Sequence, residues 1–92
     1  MADVFMYMRS TCGYSQRAMS LLRQKGVQFE TVDISAHPDR RQEMIDRSNG
    51  RTTVPEIFIN GRHIGGCDDL MELESSGQLD SMLAQQSSGT SA

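Results

Sequence analysis

The sequence predicts an α/β fold in which helices flank a four-stranded mixed sheet. Three observations carry that expectation. The run Val4-Phe5-Met6-Tyr7-Met8 is apolar almost without break, as in a strand covered on both faces. A helix-period stretch and then a β-branched stretch follow it within about 30 residues, which makes a βαβ unit. Farther on, Asn60-Gly61 separates two short runs, the strongest local signal for a hairpin, and so adds an antiparallel pair.

Residues 3–8 read as the first strand and Arg9 to Thr11 as a short loop. From Gly13 to Lys25, the positions Ala18, Leu21, Leu22 and Lys25 recur at helical spacing, with Met19 beside the stripe. Arg17, Arg23, Gln24 and Lys25 put polar groups outward and cations near the C-terminal end, where the helix dipole favours them. Residues 27–34 read as the second strand, rich in β-branched side chains. Ser35 to Pro38 is a turn, with Pro38 suited to a first helical turn. Residues 39–48 then form a helix with Met44 and Ile45 as core contacts, and Asn49-Gly50 ends it. Glu56 to Ile59 is a third strand, and Arg62 to Ile64 returns beside it. Pro55 cannot donate to a ladder, so it fits a strand's first residue or an edge; its isomer is open from the residues alone. Gly65 to Asp69 opens another helix, with Leu70, Met71 and Leu73 as its apolar positions. Ser75-Ser76-Gly77 breaks it, and Leu79, Met82 and Leu83 mark a short last helix. Residues 1–84 are thus one domain, and residues 85–92 are expected to be a flexible polar tail with nothing to bury.

Composition narrows the function. A net charge of −3 with both signs interspersed argues against nucleic acid, whose binders are strongly basic. No apolar run approaches the roughly 18 residues of a membrane span, and no signal sequence is evident. The expectation is a cytoplasmic protein that binds neither membrane nor nucleic acid. Cys12 and Cys67 are too few for a disulfide scaffold or a four-cysteine zinc site, and His37 and His63 show no ligand spacing.

Cys12 stands apart because it lies at a strand-to-helix junction, where backbone N–H groups and the dipole favour an anion. For cysteine that anion is the thiolate, the form that attacks disulfides. A βαβ pattern with Cys-x-x-Cys is a redox signature, but position 15 is serine. Three segments make the likeness specific: Thr11-Cys12-Gly13-Tyr14-Ser15, Gly50-Arg51-Thr52-Thr53-Val54-Pro55, and Ile64-Gly65-Gly66-Cys67-Asp68-Asp69-Leu70. With this order and spacing the chain resembles a glutaredoxin, in the frame of the small bacterial class I proteins.

The resemblance implies a thioredoxin fold, a cis proline at Pro55 and a glutathione groove beside Cys12. It makes Cys12 the nucleophile and sets Tyr14 against the bound thiol. Thr53 and Val54, before Pro55, would bond the cysteinyl backbone as an added strand does. Gly66, Cys67 and Asp68 would hold the γ-glutamyl end, and Arg9 the glycyl carboxylate, joined by Gln42 or its neighbour Arg41. The charges suit glutathione: a cation for a carboxylate, a helix start for the other, and an aspartate for the ammonium. Cys67 is open between a packing residue lining the groove and an accessory thiol.

The motif departs from the family's dithiol pattern, Cys-Pro-Tyr-Cys, and lacks the loop that cluster-carrying monothiol members insert ahead of Cys-Gly-Phe-Ser. With Ser15 in place, no disulfide can close within the motif, and a monothiol route through Cys12 and glutathione is expected. Ser15 is either natural or a replaced cysteine; in the second case the natural protein would reduce protein disulfides by the dithiol route. The alternative reading is a [2Fe–2S] cluster carrier, because Gly13 replaces the usual proline. There Cys12 and glutathione from each of two subunits would supply the sulfur ligands. Expected partners are glutathione and glutathionylated or disulfide-containing proteins, with a monomer unless a cluster joins two chains.

Overall fold

The strand order in the sheet is β2-β1-β3-β4, with β1 Val4–Met8, β2 Phe29–Asp33, β3 Glu56–Ile59 and β4 Arg62–Gly65. The computed structural model describes residues 2–85, so of the tail expected at 85–92 all but Gln85 lies outside the described residues. β1 runs parallel to β2 and antiparallel to β3, and β3 runs antiparallel to β4. The helices are α1 Gly13–Gln24, α2 Arg41–Arg47, α3 Cys67–Ser75 and α4 Gln78–Ala84, and among the described residues no helix is long and apolar enough to cross a membrane.

Strand periodicity explains the unbroken apolar run of β1. Val4, Met6 and Met8 face one core with Ile57 and Ile59 of β3, closed by Ala18, Leu21 and Leu22 of α1, Leu70 of α3 and Leu79 and Leu83 of α4. Tyr7 faces the other side and meets Val32, Ile34, Met44 and Phe58, with Phe5, Ile45 and Val54 packed around them. Among the described residues, α2 is the helix that covers that second face. It is held there by Arg47, whose guanidinium stacks 4.3 Å from the Phe58 ring and bonds the Tyr7 hydroxyl at 3.1 Å.

Three elements differ from the sequence reading. The second strand is shorter than residues 27–34: its ladder spans Phe29–Asp33, and Val27 and Ile34 are buried beyond it. Its outer edge is free, since β2 ends the sheet. The helix expected over 39–48 is a single 3-10 turn, Pro38–Arg40, followed by the seven-residue α2. Met44 is fully buried there, whereas Ile45 is only partly so. Lys25 does not point a free cation outward: its Nζ lies 2.7 Å from both Glu74 and Asp80, tying α1 to α3 and α4. The Asn60-Gly61 turn forms as expected, with both residues at positive φ (52° and 79°), the conformation a two-residue hairpin of matching twist requires.

Candidate active site

Two chain reversals meet at the C-terminal end of β1. Cys12 is the N-cap of α1, in extended conformation, and its N–H is donated to the Arg9 carbonyl at 3.0 Å. The loop before it is fixed at both ends. The Ser10 N–H reaches the Asp33 carboxylate at 3.3 Å, and the Gln16 amide donates to the Ser10 carbonyl at 2.8 Å. Facing the thiol from the other side, the Val54-Pro55 peptide is cis. Cys12 Sγ lies 3.9 Å from the Val54 carbonyl oxygen.

The Cys12 thiol is tuned toward ionisation. Partial burial opposes the thiolate, but hydrogen bonds from the Ser15 N–H and hydroxyl, the Tyr14 N–H and the Arg9 charge outweigh it. Together they hold the thiol below the ordinary cysteine range. Ser15 is fully buried, and its Oγ also accepts the Arg9 N–H at 3.4 Å. Cys67 is the opposite case. It is nearly fully buried at the start of α3, and burial pushes its thiol up, so it packs as a small apolar group. Alkylation of Cys12 by iodoacetamide should therefore titrate with a midpoint below the ~8.5 of an unperturbed thiol. Reaction is slow at lower pH, where the thiol is protonated, and fast above the midpoint. Arg9→Gln should move the midpoint up; a wild-type midpoint at or above that of a free cysteine would refute this tuning.

Beside the thiol lies a cavity of about 290 Å³. One wall is Thr53, Val54 and Pro55; the other is Gly66, Cys67, Asp68 and Asp69, and Tyr14 and Arg51 line the cavity as well. Tyr14 is 59% exposed, so its ring is offered to whatever occupies the groove. The helix wall is pre-set by Asp69, whose carboxylate accepts the Gly66 N–H at 2.9 Å. That leaves the N–H groups of Cys67 and Asp68, which have no partner within the helix, as donors at a positive dipole end. The Gly66 N–H, first of the residues expected to bind there, is already engaged. A larger cleft of about 570 Å³ runs along Ala2–Val4 and 27–30, and neither cysteine lines it.

The structure gathers most of the residues expected from sequence into the lining of this one cavity, and leaves Arg9, Cys12 and Gln42 outside it, Cys12 lying beside it against the Val54 carbonyl. Arg9 sits next to Cys12 through the loop and acts on the thiol by its charge. Gln42 is exposed on α2, where its amide bonds Asp46 at 2.9 Å, and Arg41 beside it is exposed as well. Two lining residues were absent from the expected set. Asp69 could have been found, because it stands three residues after the N-cap Gly66, the spacing at which a side chain turns back to the cap N–H. Arg51 carries no such signal: only the folded chain brings it 3.2 Å from Asp69.

Comparison with known proteins agrees with this geometry. Residues 4–64 match the family model described as Glutaredoxin. The chain is 53% identical over 83 residues to Glutaredoxin 3 of Escherichia coli strain K12, covering 90% of this chain and 99% of that protein. The solution structure of a glutaredoxin from Brucella melitensis is similar with a TM-score of 0.78 at 48% identity, over 100% of this chain and 96% of that one. A crystal structure of a buckwheat glutaredoxin–glutathione complex is similar with a TM-score of 0.80 at 34% identity, over 89% of this chain and 76% of that one.

Proposed function

The chain belongs to the glutaredoxin family of thiol oxidoreductases, and from that premise we propose that it reduces glutathione mixed disulfides by a monothiol route through Cys12. The observation that carries the proposal is an ionisable thiol at a helix start, beside a peptide-lined groove, with a buried serine where a second thiol would be. In the first step the Cys12 thiolate attacks the glutathionyl sulfur of a mixed disulfide. A Cys12–glutathione disulfide forms, and the substrate's thiolate leaves and takes a proton from water. In the second step the thiolate of another glutathione attacks the glutathionyl sulfur of that intermediate. Oxidised glutathione leaves and the Cys12 thiolate is restored. Ser15 takes no electrons; its hydroxyl and N–H stabilise the departing Cys12 thiolate.

The groove suits the tripeptide. Thr53 and Val54 offer an extended edge to the cysteinyl backbone, as in strand addition. The Cys67 and Asp68 N–H groups suit the γ-glutamyl carboxylate, and the Asp68 side chain suits its ammonium. Tyr14 covers the sulfurs, and Arg9 supplies a cation for the glycyl carboxylate. Glutathionylated proteins are the natural substrate class, because only the glutathionyl half of the disulfide meets the groove.

Cluster carriage remains the alternative from the same cysteine. Among the described residues no three His, Cys, Asp or Glu side chains group to hold a metal, so one chain would give Cys12 alone. A cluster would then need two chains and two glutathiones, whereas disulfide exchange needs one chain. Treatment with oxidised glutathione followed by mass spectrometry tests the proposal. The expected result is one glutathione, on Cys12, released by reduced glutathione. Modification solely at Cys67 would overturn it, and a coloured dimer after anaerobic reconstitution would favour the alternative.

A further inference from the structure

We propose that Glu56 is a positioning residue for the groove, holding Arg51 so that a single guanidinium ties the strand wall to the helix wall. The inference rests on the function proposed above. Glu56 follows the cis Pro55 directly, and strand alternation turns its side chain to the face of Tyr7 and Phe58. Its carboxylate is fully buried, in a place where burial of an unpaired charge would be costly.

The partners it has gathered lead to the groove. Oε1 meets His63 Nε2 at 2.6 Å across the hairpin. Oε2 accepts the Thr53 hydroxyl at 3.2 Å and faces Arg51 Nε at 3.5 Å. Arg51 then uses its Nη1 on Asp69 at 3.2 Å, and Asp69 holds the Gly66 N–H. Thr53 and Gly66 belong to opposite walls, so the path from one wall to the other runs through Glu56, Arg51 and Asp69.

The backbone beside the pair leaves room for it. Gly65 adopts φ +120°, and a Cβ there would lie 2.2 Å from Asp69 Oδ2 and 2.9 Å from Arg51 Nη1. The end of β4, just ahead of the helix wall, therefore leaves the space that the Arg51–Asp69 pair fills. The carboxylate gives one oxygen to His63 and the other to Thr53 and Arg51, side chains that line the groove.

Steady-state turnover of a glutathionylated peptide by Glu56→Ala, Glu56→Gln, Arg51→Ala and the double alanine variant tests the role. Circular dichroism checks folding. Glu56→Ala should raise KM for the peptide roughly tenfold while kcat changes by less than about twofold, the split expected when ground-state positioning is lost. Glu56→Gln keeps a carbonyl acceptor for Arg51 and should lie between wild type and alanine. The double variant should fall short of the sum of the two single effects, because Glu56 acts mainly through Arg51. The iodoacetamide titration of Cys12 should not move in any variant. Unchanged KM in folded Glu56→Ala and Glu56→Gln, or additive effects in the double variant, would overturn the inference while leaving the proposed function standing. No turnover by the wild-type protein would remove both.

Discussion

Replacing Cys12 by serine should abolish glutathione-dependent turnover, a loss on the order of 10³-fold or more. A serine hydroxyl at this N-cap stays protonated near neutral pH, so the same donors that hold the Cys12 thiol low have no anion to stabilise. The fold should hardly notice. The Sγ contact to the Val54 carbonyl is 3.9 Å long, and serine is close to cysteine in shape, so stability should stay within about 0.5 kcal/mol of wild type. Loss of turnover with an unchanged urea midpoint would therefore be a chemical effect. The companion variant Cys67→Ala should still accept one glutathione on Cys12, since burial keeps the Cys67 thiol protonated. Wild-type turnover by Cys12→Ser, measured with glutathione as the sole thiol, would sink the nucleophile assignment.

How far the sequence could be read depended on whether a signal was local. β1, α1 and the hairpin announce themselves because each is a periodic pattern or a turn with special φ: Val4, Met6 and Met8 against Tyr7, then Ala18, Leu21 and Leu22, then Asn60-Gly61. The limits of β2 were not local. Val27 and Ile34 are as apolar as a strand residue, but β1 ends at Met8, so the ladder stops with its partner at Asp33. The same division holds at the groove. The positions of Cys12, Tyr14, Thr53, Val54 and Asp68 follow from short motifs that place them at element ends. Arg51 and Glu56 act through contacts between side chains from three separate elements, and nothing along the chain marks a guanidinium that will reach two carboxylates. Lys25 shows the same thing at the surface. Helical spacing put it near the end of α1, and only packing shows that it meets Glu74 and Asp80.

Gly65→Ala, at the end of β4 beside the groove, should give a large loss for a single added methyl, because it strikes backbone and ion pair together. At φ +120° an L side chain is strained by about 1–3 kcal/mol. The new Cβ would also occupy the place of Asp69 Oδ2, so the carboxylate must rotate away. It then gives up the Gly66 N–H and the Arg51 pair, a helix cap worth about 1 kcal/mol. The combined destabilisation is about 2–4 kcal/mol, a sizeable part of the ~5–15 kcal/mol that holds a domain folded. The pH dependence should change as well. The Gly66 N–H, against partial burial, and then Arg51 hold the Asp69 carboxyl below the ordinary carboxylate range. Its contribution to wild-type stability is therefore present above the ~3.9 of an unperturbed aspartate and lost as pH falls through the lower folded value. With those partners gone, the Asp69 carboxyl returns toward the unfolded value, and this part of the acid-induced loss should disappear from the variant. Urea unfolding at neutral and acidic pH reads the stability, and KM for a glutathionylated peptide reads the groove. A variant with wild-type midpoints and wild-type KM would show that the helix wall does not depend on Asp69 standing where a Cβ would be.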